Sequence, residues 1–372
     1  MSTESIPVAE PLSGGPPLPP EGTSGGGRLE AFPDVAKIAA IVGVVTVHAA
    51  SAPNDAFGTL TDKTWFVSVL VEVAFRWCVP VFVMVSGMLL LRARTAEMAP
   101  GVFYRRRLAR VAVPLVGWTV FYRLFTGWTG PDPSFEENVQ AVYGGVPYFH
   151  LYFLYLIAGL YLVAPYLARA IRDLSQRQLG ALSIGALAVG FLWGGVPPWL
   201  PATSSNAFSL FAPFVGYFLA GCWLSRVRLD RQLVRGSVAV FVLVGIASAL
   251  ATYEFAHSGT RLDWHYLYGY TTPSVIVMSL CVFVAIRYLC ERREARRPIR
   301  HTQALHYVGE ATFGIFLIHP ALFMLWIQSS EGIPSEAPEL IWWLPLTVAG
   351  LIAISFACTL AMKRIPYLRR LV

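Results

Sequence analysis

The stretch DVAKIAAIVGVVTVHAAS, residues 34–51, decides the fold. Between Lys37 and His48 it runs through ten residues with no ionisable side chain, the composition of a helix in a bilayer rather than one on a soluble core. A group that exchanges a proton near neutral pH is costly in hydrocarbon and faces a cavity or a partner helix instead of lipid. His48 is therefore the first candidate for chemistry.

Outward from this stretch the chain reads the same way. Its 372 residues are 55% hydrophobic and 14% charged, with a mean hydropathy of +0.55, far more apolar than a soluble domain requires. After the first run at 34–52, further runs of spanning length follow at 66–91, 108–127, 148–168, 179–196, 207–225, 236–256, 267–288, 306–328 and 340–361. They predict an all-α fold, a polytopic membrane helical bundle of about ten transmembrane helices over residues 31–372. Basic clusters at 92–110, 169–177, 226–235, 287–300 and 363–370 fall on alternate sides of successive runs, and so on one face. The opposite loops hold Lys63 and Arg261 against Asp55, Asp62, Asp132, Glu136, Glu137, Asp263, Glu331, Glu336 and Glu339. Lysine and arginine collect in cytoplasmic loops, which puts both termini in the cytoplasm.

The net charge of +7 then reflects topology and attraction to the anionic head groups of membrane lipids, and gives no argument for nucleic acid. Residues 1–30, rich in Gly, Pro, Ser and Glu, lack the basic start and apolar core of a signal peptide and read as a disordered cytoplasmic tail. None of the five cysteines falls clearly in an outer loop, so no disulfide framework is expected.

Helical rise puts His48 about 21 Å along its span from Asp34, in the outer half of a core about 30 Å thick. His319, in FGIFLIHP, lies about 20 Å from the start of its run near His306, at a similar depth. Arg123, His150, Glu72 and Arg76 complete one outward-facing polar level. Each has a plainer reading beside the functional one. His150 and Arg123 can be interfacial anchors, Glu72 and Arg76 a structural ion pair at i, i+4, His319 a donor to a carbonyl freed by Pro320, and His48 one half of an interhelical hydrogen bond.

On the inner face, FYRRRLARVAVPL places Arg107 and Arg110 one turn apart, a spacing that can clamp phosphate oxygens, although any inner loop gathers arginine. Phosphate-loop, nucleophile-elbow and HExxH motifs are absent, and the histidines are not spaced as metal ligands. His301 and His306, five apart at the inner start of the ninth run, are given no joint role.

These residues resemble a known family. Asp34-x-x-Lys37-x10-His48 is similar to the Arg/Lys-x10-His signature of the membrane acyltransferase-3 family, bacterial integral membrane O-acyltransferases that modify surface glycans. FRWCVPVFVMVSGMLLL (75–91), Arg107-x-x-Arg110 with Pro114, HLYFLYLIAGLYLVAP (150–165) and FGIFLIHP (313–320) resemble further family segments in the same order. The resemblance departs at Lys37, where many members carry Arg, which keeps the charge but loses the bidentate fork.

It implies an inner-membrane enzyme that takes an acyl group, most often acetyl, from cytoplasmic acyl-CoA and passes it to a hydroxyl of a surface or lipid-linked glycan. Acyl-CoA would be a co-substrate, with no cofactor bound permanently and no metal. On this reading His48 is the general base or carries the acyl group transiently. Asp34 and Lys37 are grouped with it and hold the inner end of the channel, with Lys37 and the Arg107 and Arg110 pair reaching the CoA phosphates. Arg76 and His319 steady an oxyanion or orient the acceptor, alongside Glu72, His150 and Arg123. The alternatives are a succinyl or other short-acyl transferase, a glycan or lipid transporter, and a non-catalytic scaffold. Against the transporter, the hydropathy pattern gives no pair of interrupted helices.

Overall fold

The computed structural model describes residues 31–107, 109–196, 205–258, 264–296, 302–329 and 332–372. The tail at 1–30, and Arg261, Asp263, Glu331 and His301, lie outside the described residues. The described chain is helical, with no strand. Its elements are α1 (Phe32–Asp55), α2 (Asp62–Phe75), α3 (Cys78–Leu90), α4 (Ala93–Glu97), α5 (Pro100–Arg107), α6 (Ala109–Thr129) and α7 (Phe135–Tyr143). After these come α8 (Tyr152–Ala170), α9 (Gln176–Gly194), α10 (Val215–Arg226), α11 (Arg231–His257), α12 (Pro273–Arg296), α13 (Thr302–Ser329) and α14 (Ala337–Arg364).

By length and composition, seven helical segments are able to cross a membrane, or eight if the bent α5–α6 pair is one span. The sequence leads to an expectation of about ten, and the two further runs, at 179–196 and 207–225, differ from these seven or eight in a physical way. The run at 207–225 becomes a 3-10 turn, Ala212–Phe214, and the 12-residue α10, which rises only about 18 Å. α9 has 19 residues, but its glycines, serine and glutamines dilute the apolar character that a span needs.

The second run, expected as one helix, is interrupted at Arg76 and Trp77. Pro80 is the cause: it has no N–H for the Arg76 carbonyl one turn back, and its ring crowds that same carbonyl. α2 starts on Thr61, whose side chain accepts from the Thr64 N–H, and ends with the Arg76 N–H on the Glu72 carbonyl.

α1 is the central helix, packed against α2, α3, α12, α13 and α14. Its small residues Ala36, Ala40, Gly43, Ala49 and Ala50 are buried and let these neighbours approach. α3 and α10 make a closer crossing still. A Cβ at Gly87 would collide with the Phe218 carbonyl, and one at Gly221 with that of Met84. α11, by contrast, is largely exposed on its apolar surface, as a lipid-facing outer helix should be. All five cysteines are free.

Candidate active site

His48 and His319 meet across the α1–α13 contact, with His48 Nδ1 2.7 Å from His319 Nε2. The rings are nearly coplanar, 10° apart. The other nitrogen of His319, Nδ1, lies 2.9 Å from the Ile315 carbonyl oxygen, one turn back on α13. A carbonyl only accepts, so Nδ1 of His319 carries the proton, and in the neutral ring Nε2 is the acceptor. His48 Nδ1–H therefore donates to it, which leaves His48 Nε2 with a free lone pair. His319 is fully buried while His48 is half-buried, its ring edge-on to Phe149 at 4.9 Å. The inner histidine thus fixes the tautomer and direction of the more accessible one.

His150 completes the cluster from the turn that leads into α8. It is 1% exposed, and its ring stands 6.1 Å from that of His319 and 5.2 Å from that of Phe316. Neither of its nitrogens makes a hydrogen bond of normal geometry.

Tyr122, which sequence reasoning passed over, crosses from α6 to brace this part of α13. Its hydroxyl donates to the Leu317 carbonyl at 2.7 Å and accepts from the Ala321 N–H at 3.3 Å. Pro320 is the signal that was available: a proline within a membrane helix calls for outside polar support of the backbone around it.

Arg76 projects from the break in the second span. Its Nε lies 2.9 Å from Glu72 Oε2, and its guanidinium sits over the rings of Tyr268 and Tyr270 at 5.1 and 5.6 Å. Glu72 is 1% exposed, so the pair is an interior ion pair. Arg123 is engaged elsewhere. Its Nε donates to Asn138 Oδ1 at 2.5 Å and one terminal nitrogen to the Pro147 carbonyl at 3.3 Å. These bonds tie α7 and the loop before His150 to α6.

A cavity of about 340 Å³ opens among α1, α3, α6, α8 and α13. Lys37, Arg107, Arg110 and Glu310 line its charged end, and Val85, Leu89, Leu154 and Ile157 line the stretch beyond. Phe82, Phe153 and Phe316 close its deep end, with the Phe153 and Phe316 rings 5.2 Å apart. Phe316 is shared between this end and the histidines. Along α1, Lys37 at the charged end and His48 are separated by about 16 Å of helical rise.

Asp34 and Lys37, grouped with His48 by the sequence, thus lie at the opposite end of the span and do not reach the same reacting atoms. They pair with each other at 2.8 Å. The second oxygen of Asp34 meets His306 Nδ1 at 3.1 Å, and His306 Nε2 meets Glu310 at 3.4 Å. His306, given no role from the sequence, links α1 to the Glu310 turn of α13. Gly309 makes room for this, because a Cβ there would run into the Asp34 carboxylate.

A family model described as an acyltransferase domain matches residues 30–362. No curated protein and no solved structure matches the chain.

Proposed function

The chain belongs to the acyltransferase-3 family, and we propose that it moves a short uncharged acyl group from cytoplasmic acyl-CoA to a hydroxyl of a surface or lipid-linked glycan. The observation that carries this reading is the 2.7 Å contact of His48 with His319, just beyond the deep end of a cavity whose charged end is mostly basic. The gathering of basic loops on one side of the spans supports the same reading's inner-membrane enzyme, with its basic face and both termini in the cytoplasm.

In the reaction, His48 Nε2 takes the proton from the acceptor hydroxyl as its oxygen attacks the thioester carbonyl carbon. Unperturbed imidazole, with a pKa of about 6.5, suits the task. The new imidazolium is steadied by the lone pair of His319 Nε2 through the Nδ1–H bond. Collapse of the tetrahedral intermediate breaks the carbon–sulfur bond, and the proton on His48 passes to the departing thiolate. The products are the glycan ester and free CoA. Arg76, held by Glu72, and His150, buried without a hydrogen-bond partner of normal geometry, are the groups suited to the oxyanion or the acceptor. Lys37, Arg107 and Arg110 meet phosphate at the charged end.

The deep end of the cavity favours acetyl over succinyl. An acyl group must pass the rings of Phe82, Phe153 and Phe316 to reach the histidines, and burying an unpaired charge among rings is strongly unfavourable. The interruption at Arg76 and Trp77 and the bend between α5 and α6 favour a transporter, since broken helices build many transport sites. Uptake into vesicles without acyl-CoA would support that reading. The enzyme reading is tested by comparing the mass of surface polysaccharide from cells carrying the intact chain and His48→Ala. Loss of one acyl increment in the variant is expected, and an unchanged mass overturns the reading.

A further inference from the structure

A second cavity, of about 790 Å³, adjoins the first and shares Arg110, Glu310 and Phe313 with it. Its side chains include six cations, Arg105, Arg106, Arg110, Lys363, Arg369 and Arg370, against the single carboxylate of Glu310. Half of these cations come from the segment after the middle of α14, more than 250 residues from the Arg107 and Arg110 pair.

That segment is fixed in place. After α14 the chain turns through the 3-10 helix Leu368–Arg370, and the buried Trp118 of α6 donates its indole N–H to the Leu371 carbonyl at 2.9 Å. The Leu371 side chain fills the space that a Cβ at Gly117 would need. Lys363 stands 5.8 Å over the Tyr307 ring. Gathering basic side chains on one face requires only topology. Folding them back beneath α6, around a chamber that shares lining residues with the first cavity, requires these particular contacts.

The two chambers together are narrow and apolar at one end and wide and basic at the other. That is the shape of a slender uncharged arm joined to a bulky head bearing several phosphates. We propose that Lys363, Arg369 and Arg370 bind the phosphorylated nucleotide end of the thioester donor, so that the C-terminal segment is part of the donor site. This rests on the acyl-CoA reading above and extends it to residues outside the Arg107-x-x-Arg110 element. Guanidinium groups suit the task because they meet phosphate oxygens with paired, charge-assisted hydrogen bonds.

The test is binding of acetyl-CoA and of acetylpantetheine, which lacks the nucleotide, to the full chain in nanodiscs of phosphatidylcholine. Zwitterionic lipid is used so that no anionic head group competes for the same cations. The variants are Arg369→Gln with Arg370→Gln, Lys363→Gln, and Arg364→Gln, an exposed arginine of the same segment that does not line the chamber. The double variant is expected to weaken acetyl-CoA roughly tenfold, and Lys363→Gln roughly threefold. Acetylpantetheine affinity should stay unchanged in both, which also reports an intact fold, and Arg364→Gln should match the unsubstituted protein. Acetyl-CoA binding that ignores Arg369, Arg370 and Lys363, or that falls equally with Arg364→Gln, overturns the assignment alone. No acetyl-CoA binding by the unsubstituted protein overturns the donor reading and the assignment with it.

Discussion

Removing the acceptor that orients His48 separates an oriented base from a histidine that is merely buried. In His319→Ala, the His48 Nδ1–H loses its partner at 2.7 Å, and nothing then selects the tautomer that leaves Nε2 free. A hydrogen bond to a group that becomes charged is worth about 1.5–3 kcal/mol, which is about 10- to 150-fold in rate at 1.4 kcal/mol per tenfold. Because the bond strengthens as the imidazolium forms, the loss should fall on kcat. The KM for the donor should move less than about twofold, since the charged end of the cavity lies about 16 Å away along α1. His319→Gln retains a carbonyl that can accept the same proton, and should recover part of the rate. The assay is transfer of radiolabel from acetyl-CoA to envelope glycan, with thermal stability measured on each variant. A His319→Ala protein that folds and keeps its full kcat would refute the reasoning.

Other perturbations probe separate parts of the structure. Phe316→Ala opens the aromatic end of the donor cavity, so the ratio of butyryl-CoA to acetyl-CoA kcat/KM should rise at least about tenfold, the low end of the worth of a single methylene in an apolar pocket; an unchanged ratio would place acyl selection elsewhere. Glu72→Ala leaves the half-buried Arg76 charge without its carboxylate and should cost about 1–3 kcal/mol, read as a fall in melting temperature in detergent. The double variant Glu72→Ala with Arg76→Ala should regain stability without regaining activity. Gly87→Val forces α3 from the α10 backbone and should lower stability by at least about 1–3 kcal/mol, with no direct contact to the histidines.

The spans that were legible in the sequence are those with a continuous apolar run, whether it faces lipid, as in α11 and α14, or neighbouring helices, as in α1 and α13. α9 and α10 were harder to read because glycine-mediated packing, not lipid contact, sets their composition; Gly190 and Gly216 touch backbone of the neighbouring element. The break at Arg76 was written in Pro80 but masked by a continuous apolar run. Depth arithmetic placed His48 and His319 at one level, yet hydropathy gives no helix adjacency, so their contact was beyond it. The partners of Arg123, Asn138 of α7 and Pro147 of the loop after it, were beyond reach for the same reason, since the sequence does not give the path of that segment. The four-residue spacing of His306 and Glu310 was readable as a helical pair, but its bond to Asp34 again depended on which helices are neighbours.

The central claim concerns where one proton sits. Nitrogen-15 NMR of histidine-labelled protein in lipid, with His48→Gln used to assign its signals, reports which ring nitrogen of His48 is protonated. The account predicts a proton on Nδ1 and a bare Nε2, with that preference lost in His319→Ala. A proton on Nε2 of His48 in the resting protein would contradict it.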